Sequence, residues 1–180
     1  MKVRLLFREQ ERTPLLQVVS SLLYDVELLY DFCLIISAKE YSEYEFSQGF
    51  WYRKGRHIKD VHKLRVVRIM KESPLSVELL IADAIGTLTA LWLFIQAVEK
   101  IYNLKANRKK TDLEIEKTKL EIEKLNRETQ KEPELGQKLR DQQHSLIFRI
   151  IAKRLESNSI KLEDLEIEVE ESDGEKVKFT

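Results

Sequence analysis

The chain has 180 residues, enough for one domain or for a small domain with an extended appendage. Its 31 basic and 31 acidic residues cancel, so no net charge draws the chain to nucleic acid or to an anionic membrane. Charged residues make up 34% of the chain, against about 25% in average globular domains, and only five Gly and three Pro are present. This composition predicts helices with solvated faces and argues against a protein that binds its target through net charge alone.

The N-terminus and the single cysteine bear on the compartment. Cys33 lies in the apolar run from Phe32 to Ile36, which predicts a buried thiol. One cysteine cannot form a disulfide within the chain, and this is typical of a reducing compartment. The residues after Met1 lack the apolar core and cleavage site of a secretion signal. We therefore expect a cytoplasmic protein, with membrane association as the alternative.

The first predicted elements are a strand and a helix. Apolar and polar residues alternate from Lys2 to Arg8, which predicts a short strand. Thr13 followed by Pro14 predicts a helix start, because the Thr oxygen can accept amide protons and Pro has none to leave unpaired. Apolar spacing extends this helix to about Ile36, with stripes wide enough for contact on two sides.

A similar pattern follows in the middle of the chain. A second strand is predicted from Lys63 to Met70, and Ser73-Pro74 is typical of a second helix start. The two halves resemble a duplicated strand-helix unit, with chance as the alternative explanation. The predicted fold is therefore a helix-predominant α+β body, residues 1–102, with a small sheet and helices on one face.

The apolar helix predicted over residues 74–102 decides between a soluble and a membrane protein. Residues 84–98 contain no charge, but 15 residues span only about 22 Å, less than the roughly 30 Å hydrocarbon core. Extending the run toward the N-terminus brings in Asp83 and Glu78. A buried core helix is the prediction; the alternative is a membrane-acting effector whose helix 75–98 inserts on assembly.

Residues 103–157 predict an antiparallel helical hairpin that resembles a coiled coil. The sequence Leu-Glu-Ile-Glu-Lys occurs at Leu113 and again seven residues later at Leu120, which is the heptad repeat of a helix that packs on another helix. Glu132-Pro133 should end that helix, and residues 134–157 form the returning arm, with Leu139, Leu146, Ile150 and Leu155 among its inward residues. The hairpin either closes on itself or docks on a second copy. The predicted oligomer-interface residues are Ile101, Leu104, Leu113, Ile115, Leu120, Ile122, Leu125, Leu139, Leu146 and Ile150.

Residues 158–180 are acidic and predict a β-hairpin. Apolar and acidic residues alternate from Leu165 to Val169, Asp173-Gly174 is typical of a tight turn, and residues 176–179 would form the returning strand. Because an isolated hairpin is marginally stable, it should join the sheet or pair with another chain. The alternative is a solvated acidic tail.

The segment 41–62 combines aromatic and basic side chains. Such a combination can stack bases and neutralise phosphates, which predicts a nucleic-acid or nucleotide binder as an alternative function. It also suits an anionic membrane surface. In the ordinary interpretation, the aromatics cover the core and the acidic C-terminal segment compensates the cations. The candidate anion-binding residues are Tyr52, Arg53, Lys54, Arg56 and Lys59.

Catalytic patterns are weak in this sequence. His57 and His62 are spaced unlike common zinc ligands, and His144 lies in a polar helix where we expect it to be exposed. We therefore predict no catalytic residue, metal or cofactor. The predicted function is that of a non-enzymatic interaction or oligomerisation module, with a regulatory role as one form of it. It would act through the helical hairpin on a second copy or on another protein.

Overall fold

A computed structural model describes residues 2–8, 16–71, 75–80, 87–103, 118–119, 122, 135–158, 160–170 and 176–179. The chain forms a mixed α+β fold in which helix predominates over strand. Three helices lie in the described residues: α1 (Leu16–Ser37), α2 (Thr87–Asn103) and α3 (Leu135–Ser157). The strands are β1 (Lys2–Arg8), β2 (Arg65–Lys71), β3 (Leu75–Leu80), β4 (Lys161–Glu170) and β5 (Lys176–Phe179).

The strands form one antiparallel sheet with the order β2-β3-β1-β4-β5. The predicted alternation in β1 is confirmed, since Val3, Leu5 and Phe7 are all buried. Their neighbours on β3 share this face, because Val3 pairs in register with Leu79 and Leu5 with Val77. One face of the sheet therefore supplies an apolar floor for the core.

The prediction of a helix that begins at Ser73-Pro74 is wrong for its first part. Residues Leu75–Leu80 form β3, which pairs antiparallel with β2, and α2 begins only at Thr87. The reason is visible in the side chains: Leu75, Val77 and Leu79 alternate with less apolar residues and are buried on the sheet. The second half is thus a strand-strand-helix unit, so it does not repeat the strand-helix order of the first half.

The helices cover the apolar floor and share one core with it. Side chains of β1, β3, α1, α2 and α3 belong to a single buried cluster, and α1 contacts both of the other helices. Tyr30 of α1 meets Phe94 of α2 edge to face at 6.1 Å. Cys33 is buried in this core, as predicted, and burial raises the pKa of its thiol to about 12.

Some of the remaining predictions concern residues that the structure describes, and others concern residues that it does not. The helix predicted over 134–157 is confirmed as α3, while its role as the returning arm of a hairpin stays a prediction. Thr118, Lys119 and Ile122 are helical, but the rest of the proposed continuation of α2 and the Glu132-Pro133 break lie outside the described residues. Over the described part of the chain, no helix combines the length and the apolar character needed to cross a membrane.

Candidate functional site

The apolar residues of α3 occupy two different faces of the helix. Ile147, Ile151 and Ala152 are almost fully buried and belong to the core. Leu139, Leu146 and Ile150, in contrast, are only half-buried, and they lie outside both the core cluster and the apolar side chains that pack against it. That these three face the other arm of the predicted hairpin stays a prediction, because most of that arm lies outside the described residues; Leu155 packs against the core.

Helix geometry explains this division. Leu139, Gln143, Leu146 and Ile150 follow one another at spacings of four, three and four residues, so they share one stripe. The core-facing residue Ile147 lies one position beyond Leu146, which turns it about 100° around the helix axis. We call the four residues 139, 143, 146 and 150 the outer stripe of α3. All four have intermediate exposure.

Among the few described residues of the predicted first arm, Thr118 contacts α3. Arg149 donates a hydrogen bond from Nη1 to the Thr118 Oγ1 at 2.9 Å, and Thr118 and Ile122 are both buried. Ile101 at the end of α2 is buried in the core of its own chain. The other predicted interface residues are outside the described part of the chain: Leu104, Leu113, Ile115, Leu120 and Leu125.

The aromatic-basic segment is folded as four short 3₁₀ turns after α1: Lys39–Tyr41, Gln48–Trp51, Arg53–Gly55 and Asp60–His62. Four of its five predicted anion-binding residues are exposed, and Arg56 is buried. Tyr52 is 70% exposed and Lys54 is also exposed. Arg53 forms an ion pair with Glu27, and Lys59 forms one with Glu40.

Arg56 lies inside the protein, where it has only 1% of its surface exposed. Its Nε donates to the Asp31 carboxylate at 2.5 Å, and Nη2 donates to Glu27 at 3.2 Å. Its Nη1 donates to the Phe50 carbonyl oxygen at 3.2 Å and to the Tyr24 hydroxyl at 3.3 Å. With these four contacts the guanidinium holds the 3₁₀ turns against α1, and it is not accessible to an external phosphate.

Tyr24 is the second element of this buried network. The guanidinium groups of Arg53 and Arg56 each lie 5.4 Å from its ring centroid, and that of Arg154 lies 5.7 Å away. Its hydroxyl donates a hydrogen bond to the Trp51 carbonyl oxygen. The ring thus contacts cations from the 3₁₀ turns and from α3, which are attracted to its π face.

Sequence reasoning missed the partners of Arg56. Glu27 and Asp31 are spaced four residues apart within residues 26–36, which carry no other charge, and this puts both carboxylates on one helical face. Charges in such a position need compensation when they are buried, so a cation from elsewhere in the chain was to be expected. The acidic C-terminal segment was the predicted partner, whereas the structure gives this role to α1 for Arg53 and Arg56.

Two histidines of this region have different environments. His62 is buried and its Nδ1 lies 2.9 Å from the Tyr41 hydroxyl, which also accepts a hydrogen bond from the Lys59 amide. Glu40 approaches the same Nδ1 at 3.4 Å. His57 is exposed and has a positive φ of 47°. The contacts of His62 thus fix the last 3₁₀ turn to the first one.

His144 is not fully exposed, contrary to the prediction. Its ring meets Phe46 at 5.3 Å and Phe32 at 6.2 Å, both edge to face. It lines a cleft of about 600 Å³ between α3 and residues 42–46, together with Arg140 and Gln143. Burial lowers the pKa of the imidazole, Asp141 opposes this effect, and Arg140 adds to it.

We expect the His144 ring to titrate below the ordinary histidine pKa of 6.5 in the folded protein. The unfolded chain then binds more protons than the folded chain between the two pKa values, so stability falls as the pH drops through this range. The proton NMR shift of the His144 ring, followed from about pH 8 to about pH 5, measures the midpoint.

Two controls accompany this titration. The same ring in the urea-unfolded chain gives the reference midpoint. The His144→Gln variant removes the group, so wild type should lose stability relative to this variant as the pH falls. A folded-state midpoint at or above that of the unfolded chain would show that the ring is not held in the aromatic contacts described above.

These contacts define a protein with one network of buried polar contacts and two partly exposed apolar surfaces, the outer stripe of α3 and the strand β2. On β2, the residues Val66, Val67 and Ile69 are each about half exposed. Compared with protein-family profiles, curated proteins and solved structures, the chain matches none of them.

Proposed function

We propose that this protein is a non-enzymatic association module that pairs with a second copy of itself through the outer stripe of α3. One observation carries this proposal: Leu139, Leu146 and Ile150 form an apolar line outside the core of their own chain that is only partly covered. Apolar residues repeated at this spacing are typical of a helix that packs against another helix.

An antiparallel twofold pairing suits the stripe. With the axis at its centre, Leu139 lies opposite Ile150 of the partner subunit, and Gln143 lies opposite Leu146 of the partner subunit. The stripe is then self-complementary, as a twofold interface requires. Gln143 is the polar residue of this otherwise apolar stripe. A single polar residue in such a contact restricts the register in which the two helices pair, at a cost in affinity.

The apolar area of the stripe sets the expected strength of the dimer. Each of its Leu and Ile side chains is already largely buried, so covering the rest gains less than about 1 kcal/mol per side chain and about 4 kcal/mol for the six in a dimer. This gain only matches the lower end of the roughly 4–15 kcal/mol that association costs in lost rigid-body freedom. The stripe alone therefore supports at most a weak dimer, with a Kd of about 1 mM or above.

Neither alternative function has equal support. The membrane-acting alternative needs a continuous helix over 75–98, whereas Leu75–Leu80 is a strand with its apolar residues buried on the sheet. The nucleic-acid alternative needs accessible cations in the 3₁₀ turns. Arg56 is buried there, and Arg53 and Lys59 are engaged by Glu27 and Glu40.

Two opposite substitutions in the stripe test the proposal. Gln143→Leu should tighten the dimer about tenfold, because it replaces a polar side chain at the contact with an apolar one. Leu146→Gln should weaken the dimer by a similar factor, since it does the reverse at the position that Gln143 meets. Sedimentation equilibrium at several concentrations gives the dissociation constants.

Lys138→Leu is the matched control for added apolar surface. Lys138 is exposed on α3 and lies outside the outer stripe, so the same kind of substitution there should leave the dissociation constant unchanged. If Gln143→Leu and Lys138→Leu have the same effect, association does not use the stripe, and the proposed interface is wrong.

A further inference from the structure

The strand β2 is an edge of the sheet, since β3 is its partner on one side and the order β2-β3-β1-β4-β5 places no described strand on the other. Edge strands present unpaired backbone amides and carbonyls, which can pair with an added strand. The side chains of β2 decide what kind of strand could be added.

The apolar side chains of β2 extend the core-facing side of the sheet. Val66 pairs in register with Leu79, and Ile69 pairs with Val77, both of which are buried. Val66 and Ile69 themselves are 51% and 46% exposed. The helices thus cover this face at β3 and leave it half open at β2, where side chains of an added strand could cover it.

Arg65 and Arg68 of β2 lie on the opposite face, and a register shift between Val66 and Arg68 lets these two residues, three positions apart, share one side of the sheet. Arg65 pairs in register with Leu80, and Arg68 pairs with Glu78, so both guanidinium groups share the side of the sheet that holds Glu78. The Glu78 carboxylate is engaged by Arg4 of β1 at 2.7 Å. Arg65 and Arg68 are exposed, and within the described residues neither has an ion-pair partner.

Charge alternates from strand to strand at this position of the sheet. Arg4 on β1 contacts Glu78 on β3, and Arg68 on β2 is the next residue in the same row. Opposite charges stabilise directly facing cross-strand residues, whereas like charges destabilise them. The next strand in this row should therefore carry an acidic residue.

The same rule disfavours edge-to-edge pairing of β2 with the sheet of a second copy of this protein. An antiparallel β2–β2 pairing centred on Arg68 would set this arginine against Arg68 of the partner subunit. The other edge strand, β5, has Lys176 and Lys178 in its sequence, so joining β5 to β2 would also bring cations together. Basic edge strands of this kind are a known means of preventing sheets from joining edge to edge.

We infer that β2 binds an extended acidic segment of another protein, which adds to the sheet as an antiparallel strand. Acidic residues of that segment would face Arg65 and Arg68, and its alternate apolar residues would cover Val66 and Ile69. This surface is distinct from the outer stripe of α3, so the inference does not depend on the proposed dimer.

The test uses a fluorescein-labelled peptide, acetyl-Glu-Val-Glu-Ile-Glu-Val-Glu-amide, titrated with the full-length protein and followed by anisotropy. We expect saturable binding that weakens about tenfold in the Arg65→Glu/Arg68→Glu variant, because two attractive pairs become repulsive. The same variant should gain affinity for the matching peptide with Lys in place of Glu. This exchange of preference is not expected from a variant that has merely lost its fold.

Two controls separate strand pairing from general attraction. A peptide with Pro in place of its central Ile keeps the charge but cannot pair as a continuous strand, and it should bind at least about tenfold more weakly. The Lys39→Glu/Lys54→Glu variant makes the same charge change at two exposed lysines away from β2, and it should bind the acidic peptide like wild type.

Three results would overturn the inference. The first is the absence of saturable binding up to about 1 mM peptide. The dissociation constant would then be too high for recognition of a short linear segment. The second is equal binding of the Pro peptide. The third is binding of a single-stranded oligonucleotide that depends on Arg65 and Arg68, with no binding of the peptide. These cations would then serve phosphate recognition.

Discussion

Replacing Arg56 with methionine is expected to lower the free energy of unfolding by about 3–5 kcal/mol, the typical cost of leaving a buried charge without its partner. The Asp31 carboxylate is 6% exposed and lies 2.5 Å from the Arg56 Nε. The Phe50 carbonyl oxygen would also lose its donor. Methionine retains much of the apolar stem of arginine, so the loss should be mainly electrostatic. Urea unfolding followed by circular dichroism measures the change.

Arg53→Met is the matched control because Arg53 carries the same chemistry at the surface. Its side chain is 63% exposed and pairs with Glu27, so the loss should remain below about 1 kcal/mol. Adding Asp31→Leu to Arg56→Met should recover most of the stability, since no unpaired charge is then buried at this position. Similar losses for Arg56→Met and Arg53→Met would contradict the assignment of Arg56 to the interior.

The second large effect is expected for Gly55→Ala, which should destabilise the protein by about 2–3 kcal/mol or more. A Cβ at Gly55 would overlap the Gly49 carbonyl oxygen and would lie 2.6 Å from the Gly49 carbonyl carbon. These are backbone atoms that no rotamer change can move, so the two 3₁₀ turns would have to separate. The midpoint of thermal unfolding should fall accordingly.

Gly49→Ala makes the same change on the other side of this contact. The nearest atom to its Cβ is the Ser47 Oγ at 3.3 Å, and the nearest backbone atom is the Gly55 Cα at 3.7 Å. A small movement of the Ser47 side chain can relieve the first contact, so the loss should be less than about 1 kcal/mol. If Gly49→Ala is as damaging as Gly55→Ala, the close approach at Gly55 is not the cause.

The sequence allowed the regular elements to be predicted where one face is buried. The alternation in Lys2–Arg8 and the apolar spacing of residues 16–36 correspond to β1 and α1, because each has a polar side that contrasts with its apolar side. The strand β3 was missed, because Ser73-Pro74 is as typical of a turn as of a helix start. The alternation from Leu75 to Leu80 was the signal that distinguishes the two.

The faces of α3 could not be predicted from spacing alone. Its apolar residues lie on two sides, and only the position of α1 and the sheet shows that Ile147 and Ile151 face the core. Leu139, Leu146 and Ile150 lie on another side of the helix and are half-buried, and their part in association stays a prediction. The buried role of Arg56 was likewise unpredictable from composition, because it depends on the fold bringing Asp31 within reach.

The molar mass in solution as a function of concentration tests the proposed self-association most directly. Light scattering after size exclusion should show a mass close to 21.3 kDa in dilute samples. It should rise measurably above that value between about 10 μM and about 1 mM, as expected for a dimer with a Kd near 1 mM. A mass that stays at that of one chain over this whole range would contradict pairing through the outer stripe of α3.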